Sequence, residues 1–295
     1  MENYNFLQYD LDKWIQENRA DFRPPVCNKC MYSDQLKVFL VGGPNTRKDF
    51  HLEEGEEFFY QIKGDMCLPV VENGKIMDVS IKEGHVFMLP SRTLHSPQRF
   101  EDTIGLVVER TRAPWEFDSL RYHMDGSTEI LFERWIHLND VVKDLPPIIK
   151  EYFASEAHRT GKPTADSIIP NRPYYPDPNV SIEEPILLKQ WIQKHEGELE
   201  ELGVVELYGP PTYKTHVKIH GRSVHELGNR HADTFLYMID GSAKVVARGG
   251  SEYDLTQSHT LRIPGGTSAE MEIFSGYALT VIMETPREKS PTGID

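Results

Sequence analysis

The chain is poor in cysteine, with three residues in 295 at Cys27, Cys30 and Cys67. So sparse and odd a set cannot build a disulfide framework in a chain this long, and it points to a reducing compartment. Cys27 and Cys30 have the spacing of a metal-binding pair, but no second pair completes four ligands, so they read as structural. No run of about 18 apolar residues occurs, which excludes a helical membrane span. The N-terminal MENYNFLQYDLDKW lacks the basic start and apolar stretch of a secretory signal, and it is too acidic for a mitochondrial presequence. The expected location is the cytosol. Basic residues are also in deficit, 32 Lys and Arg against 46 Asp and Glu, for a formal net charge of −14. Such a surface repels nucleic acid phosphates and anionic membranes, so neither is an expected partner, and an anionic ligand must be drawn in by locally placed arginines.

What is present is a composition near the globular average, 39% hydrophobic and 26% charged, in a chain long enough for two cores. Leu11, Trp14 and Ile15 in the stretch Asp10 to Asn18 predict a short packing helix that ends before Pro24-Pro25. From Lys37 the pattern changes to short β-branched and aromatic runs broken by turn signals, the pattern of an all-β sandwich or barrel. Asn73-Gly74, between CLPVVE and KIMDVSI, predicts a type I′ hairpin, and Gly64-Asp65 and Gly84 mark further turns. After Glu109 the spacing reads as helical from Glu129 to Leu138, and again from an opening Pro146-Pro147 to about His158. RTGKPTADSIIPNRPYYPDPNVS reads as a linker. A helix is expected from Glu184, and strands resume at Val204. The expected organisation is a first domain over 1–163, a linker over 164–182 and a second domain over 183–295.

The second β region repeats the first. FLYMIDG, ending at Gly241, matches FFYQIKG, ending at Gly64, in its aromatic, tyrosine, isoleucine and glycine positions. Gly249-Gly250 answers Asn73-Gly74, Pro264 answers Pro90, and METPRE answers VERTRA. Two copies of one β-barrel explain the pattern.

Ligand-type residues concentrate in the first copy. His51 and Glu57 flank a segment centred on Gly55, where a tight turn would place them on adjacent strands, and His95 follows Pro90 on a third. Two neutral imidazoles and a carboxylate leave a divalent metal a net charge of +1 and an open face, the arrangement used by non-heme Fe(II) oxygenases, although imidazole also suits Mn, Ni and Zn. Arg47 stands four residues before His51 and Arg99 four after His95. In regular strands that parity puts both on the metal's face, where either guanidinium could bind a carboxylate. The strand Gly105-Leu-Val-Val-Glu109 ends in an acid where an apolar run would otherwise continue. Glu53, Glu54 and Glu56 are expected to form a solvated acidic turn, and Glu57 is preferred as ligand because it directly precedes FFYQI.

These residues resemble the two sequence motifs of the cupin superfamily, one from Gly43 through His51 and Glu57 to Gly64, the other from Gly84 through Pro90 to His95. The resemblance implies an all-β fold with added helices, a bicupin of two double-stranded β-helix (jelly-roll) barrels. Glu53 stands where many cupins have a second histidine and Arg99 where many have asparagine, which leaves three ligands instead of four. GGPNTRKDFHLEEGEEFFYQIKGDM, LPSRTLHSPQR, GLVVER and ILFERW are similar to the 3-hydroxyanthranilate 3,4-dioxygenase family, in its two-copy, single-chain animal form. That resemblance implies one Fe(II) per chain on His51, Glu57 and His95, dioxygen beside Arg47, and 3-hydroxyanthranilate held by Arg99, Glu109 and Glu57. It also implies a cytosolic monomer whose product, 2-amino-3-carboxymuconate 6-semialdehyde, cyclises to quinolinate on the way to NAD. Microbial members bind a second iron through paired Cys-x-x-Cys motifs, and the C-terminal half here has no cysteine.

In the second copy Thr234 answers Glu57, Gly228 falls opposite His51, Ala269 answers His95 and Ile273 answers Arg99. No ligand survives, so that domain is expected to be metal-free and structural. His216 and His220 alternate with Val217 and Ile219, as on the polar face of a half-buried strand. The competing readings are another metal-dependent cupin enzyme, a dioxygenase or isomerase acting on a small acid, and a non-catalytic binding cupin.

Overall fold

The computed structural model describes residues 5–22, 27–45 and 48–289. It begins with β1 (Leu7–Asp10) and α1 (Leu11–Glu17), a helix capped by Asp10, which accepts from the Lys13 amide. There follow β2 (Asn28–Ser33), β3 (Leu36–Gly42), β4 (Phe50–Leu52), β5 (Glu57–Lys63), β6 (Met66–Glu72), β7 (Lys75–Ile81), β8 (His85–Leu89), β9 (Gln98–Arg99), β10 (Ile104–Arg110), β11 (Asp118–His123) and β12 (Ile130–Ile136). Next come α2 (Val141–Ala154), α3 (Glu156–Thr160), β13 (Ile186–Leu187), α4 (Leu188–Lys194) and α5 (Glu196–Leu202). The last run is β14 (Val204–Tyr208), β15 (His216–His220), β16 (Val224–Leu227), β17 (Thr234–Ala247), β18 (Glu252–Thr256), β19 (His259–Ile263) and β20 (Ala269–Ile282).

The duplicated sequence becomes a duplicated sheet. One sheet has the order β13-β8-β5-β10-β3-β2 and the other contains the path β1-β19-β17-β20-β15-β14, so the two correspond strand for strand. Their first strands are exchanged. β1, from the N-terminal end, pairs with β19, Leu7 opposite Arg262, whereas β13 pairs with β8, Ile186 opposite Val86. Each lobe thereby extends the other's sheet and covers an edge that would otherwise be open to pairing. Across the first lobe's interior lies a facing sheet in two pieces, β12-β11-β4 and β7-β6-β9. His95 joins them by bridging to both His51 and Val70.

Strand parity decides what faces where. On β5 and β10, Phe58, Leu106 and Val108 point out into a core shared with Val217, Phe235, Leu279 and Val281 of the second lobe. Phe59 and Val107 point into the first barrel with Leu68, Val70, Ile81 and Phe87. Since alternate residues share a face, Glu57 and Gln61 lie on the inward side with Phe59, and Gly105 and Glu109 with Val107. The polar residues of these two strands are therefore enclosed between the sheets.

The Asn73-Gly74 turn joins β6 to β7 with both residues at positive φ, 49° and 72°, as a type I′ hairpin requires. Three expectations need correction. The segment from Glu129 to Leu138 contains a strand in place of a helix, because β12 over Ile130–Ile136 pairs with β11 and sets Glu133 opposite Arg121. Its helical spacing yields to that long-range pairing. Pro146 and Pro147 lie inside α2, which starts earlier at an Asp140 cap and buries Leu145, Ile148 and Tyr152. The helix expected from Glu184 begins only at Leu188, since Ile186 and Leu187 are taken up by the edge of β8. The Pro-rich stretch between α3 and β13 has no helix or strand, yet it is bound to the first lobe. Tyr174 is buried and donates to the Phe117 carbonyl, and Arg172 pairs with Glu133 at 2.6 Å.

Candidate metal centre

His51, Glu57 and His95 meet between the two sheets of the first lobe, and one ligand atom from each lies within 4.8 Å of the others. β4 and β5, which carry His51 and Glu57, belong to opposing sheets and are not adjacent strands as the turn at Gly55 suggested. The crossing between sheets is what puts the two side chains face to face. His95 Nδ1 lies 2.9 Å from the Thr93 carbonyl, which fixes the orientation of the ring. Nε2 is 2.9 Å from Glu57 Oε1, which is buried and makes no hydrogen bond of acceptable geometry. His51 Nε2 lies 2.7 Å from Asp118 Oδ2, and among the described residues no hydrogen bond reaches its Nδ1. The donor set therefore fits a divalent cation, with Asp118 orienting one imidazole and a backbone carbonyl the other.

Charges in the surroundings are tightly compensated. The side chain of Arg112 is almost wholly buried and lies 2.7 Å from Asp118, 2.9 Å from Glu53 and 3.0 Å from Glu109. Burial would lower its pKa, but the three carboxylates more than offset that and hold it well above the ordinary range. Burial also opposes ionisation of Glu57, yet the facing His95 and His51 win and keep this carboxyl below its usual range. Asp118 is likewise held low by Arg112 and His51 against burial. Glu53 and Glu109 go the other way, raised by burial despite Arg112.

Arg99 is 3% exposed, and burial lowers its pKa to about 10. Among the described residues no carboxylate lies within ion-pair distance of it. Its Nη1 donates to Gln61 Oε1 at 3.2 Å, and its Nε has no partner. The guanidinium stands over Gly105, where a Cβ would come 2.2 Å from Nη1. Glu109 follows on the same inward face of β10, roughly 13 Å along the strand at about 3.3 Å per residue, with Val107 between them. A cation with no carboxylate partner among the described residues and an acid thus bracket a short apolar floor near the candidate ligands. Arg47 lies outside the described residues.

Sequence reasoning missed Arg112, Asp118 and Gln61, and misassigned Glu53. The acidic turn is not solvated: Glu53 is buried on Arg112, Glu54 meets Arg92 at 3.1 Å, and Glu56 accepts from the Lys214 and Thr215 amides of the second lobe. A usable signal for Arg112 was its place three residues after Glu109. The three cysteines form no disulfide, and burial near Glu109 pushes the Cys30 thiol up to about 12. In the second lobe Thr234 pairs with Ile263 as Glu57 pairs with Leu89. Ala269 and Ile273 join Leu236, Met238 and Leu261 in an aliphatic interior. His216 is partly exposed beside Glu206, but His220 is buried against Thr280, and its pKa falls to about 3.

Paired barrels, one of which brings two histidines and a carboxylate within reach of a common cation, define a bicupin with a candidate metal centre. A family model described as 3-hydroxyanthranilic acid dioxygenase matches residues 3–153. The 3-hydroxyanthranilate 3,4-dioxygenase of Caenorhabditis elegans is 47% identical over 274 residues, 93% of this chain and 97% of that one. The human protein of the same name is 45% identical over 280 residues, 95% and 97% of the two chains. The chain belongs to the 3-hydroxyanthranilic acid dioxygenase family. Among solved structures it is similar to a salicylate 1,2-dioxygenase from Pseudaminobacter salicylatoxidans, with a TM-score of 0.60 and 13% identity over 95% of this chain and 84% of that one. That likeness supports the bicupin fold.

Proposed function

We propose that this protein is an Fe(II)-dependent dioxygenase that opens the ring of 3-hydroxyanthranilate, acting as a cytosolic monomer with one iron per chain. The observation that carries the reading is Arg99, a buried guanidinium without a carboxylate partner, set beside three metal ligands. A charge in that position is costly unless a ligand completes it. The substrate carboxylate pairs with Arg99, and the ring lies across Val107. Its amine or hydroxyl donates to Glu109, whose Oε1 is held by Arg112 at 3.0 Å. His51, Glu57 and His95 would hold the iron, with Glu57 also bordering the substrate and Arg47 the dioxygen position. When bound, Fe(II) supplies the electronic path that lets a singlet aromatic react with triplet O2. With the metal bound, Asp118 and the Thr93 carbonyl would each accept from one nitrogen of an imidazole and leave the other nitrogen free to ligate. Both oxygen atoms enter the product as the C3–C4 bond opens, giving 2-amino-3-carboxymuconate 6-semialdehyde, the open-chain precursor of quinolinate.

Family membership and the geometry of the first lobe support this assignment. The test is anaerobic reconstitution with Fe(II), followed by 3-hydroxyanthranilate and O2. Uptake of one O2 per substrate, with loss of the aromatic absorbance, is expected. No uptake with iron bound would overturn the proposal.

A further inference from the structure

The partner of Arg99 is as informative as the charge itself. Gln61 is 1% exposed and lies opposite Gly105 in the β5–β10 ladder. Just there the register slips, Ile104 pairing with Lys63 and Gly105 with Gln61, so one residue of β5 bulges out. The bulge and the missing Cβ of Gly105 open a recess in the sheet. A Cβ at Gly105 would stand 2.2 Å from Arg99 Nη1 and 2.7 Å from Gln61 Oε1. The Gln61 amide nitrogen donates to the Lys63 carbonyl at 3.2 Å, which turns the amide oxygen toward Arg99.

Resting on the functional reading above, we infer that Gln61, seated in the Gly105 recess, is a specificity-determining residue that aims Arg99 at the carboxylate of the substrate without neutralising it. A glutamate here would satisfy the guanidinium internally and compete with the substrate. An aliphatic residue would leave the guanidinium without an acceptor to orient it. The neutral amide alone fixes direction and leaves the charge for the ligand. The wild-type preference for a carboxylated o-aminophenol over the same ring without the carboxylate is thereby set by a residue that need not touch the substrate.

The experiment measures anaerobic binding and steady-state kinetics of the Fe(II)-loaded wild type, Gln61→Glu and Gln61→Met. The probes are 3-hydroxyanthranilate and 2-aminophenol, which share the chelating amine and hydroxyl and differ in the carboxylate. A charge-assisted hydrogen bond lost from a buried site weakens binding by about 10- to 100-fold. Gln61→Glu is therefore expected to raise Kd and KM for 3-hydroxyanthranilate by that factor while kcat changes little. Binding of 2-aminophenol should stay within about twofold of wild type, the scale of neutral substitutions. Gln61→Met should show a smaller loss, again confined to the carboxylated ligand, and it decides the matter if Gln61→Glu does not fold. Equal weakening of both ligands would mark Gln61 as merely structural and overturn the inference, as would an unchanged preference in the variants. A wild type without preference for 3-hydroxyanthranilate would instead sink the functional reading on which the inference rests.

Discussion

Replacing Arg112 by methionine removes a cation that three buried carboxylates share. Asp118, Glu53 and Glu109 lie 2.7, 2.9 and 3.0 Å from its guanidinium, and both sides of each contact are almost wholly buried. Breaking a buried ion pair by deleting one partner costs about 3–5 kcal/mol, because the charge left behind has neither water nor a counterion. Protonation of Glu53 and Glu109, whose carboxyls burial already raises, limits the damage. The expected loss is therefore about 3–5 kcal/mol and not three times that, a fall of roughly 6–20 °C in melting temperature at about 2–4 °C per kcal/mol. Circular dichroism melting of the metal-free protein at pH 8 and pH 5 measures it. In the variant the orphaned carboxyls have folded pKa values above their unfolded ones, so the folded state binds protons as pH falls and regains stability. The gap between variant and wild type should narrow from pH 8 to pH 5. The double variant with Glu53→Gln should recover part of the loss by removing one of the stranded charges. A variant melting within about 2 °C of wild type at pH 8, on a scale where surface changes stay within about 0.5 kcal/mol, would refute the reasoning.

Other expectations follow from the same geometry. His51→Ala and His95→Ala should each lose bound metal by elemental analysis, whereas Arg99→Ala should retain it and raise KM. Asp118→Asn removes the charge that orients His51, and metal affinity should drop about 10- to 100-fold in a competitive chelator titration. Phe58→Ala empties part of the core between the lobes and should cost about 3–5 kcal/mol in denaturant unfolding with the metal ligands untouched.

The sequence was most legible where local chemistry and long-range structure agree. Asn73-Gly74 admits the backbone its hairpin needs, and Asp10 caps the helix that follows it. The matching strings around Gly64 and Gly241 correspond to sheets of matching order. His51, Glu57 and His95 could be singled out because ligand-type side chains at the ends of apolar strands are few. What escaped was settled by partners distant in sequence. Ile130 to Ile136 has helical spacing, and only pairing with β11 makes it a strand. Asp118 is 67 residues from His51, and nothing local couples them. Glu53 looks like part of a solvated turn until Arg112 is brought against it from beyond β10. Gln61 reads as an unremarked polar position in a strand, since its role depends on a bulge and on the absent side chain of Gly105. The exchange of β1 and β13 is invisible in a pattern that orders elements along the chain.

The central claim is that the first lobe holds Fe(II) and inserts both atoms of O2 into 3-hydroxyanthranilate. Its most direct test is to react the Fe(II)-loaded protein under isotopically heavy dioxygen, trap the open-chain product before it cyclises, and read its mass. Incorporation of two heavy oxygen atoms, lost together with metal in His51→Ala, is the expected result. A product with no heavy oxygen in its new carboxyl group, or an intact ring, would contradict the account, whereas loss of the aldehyde label alone is exchange with water.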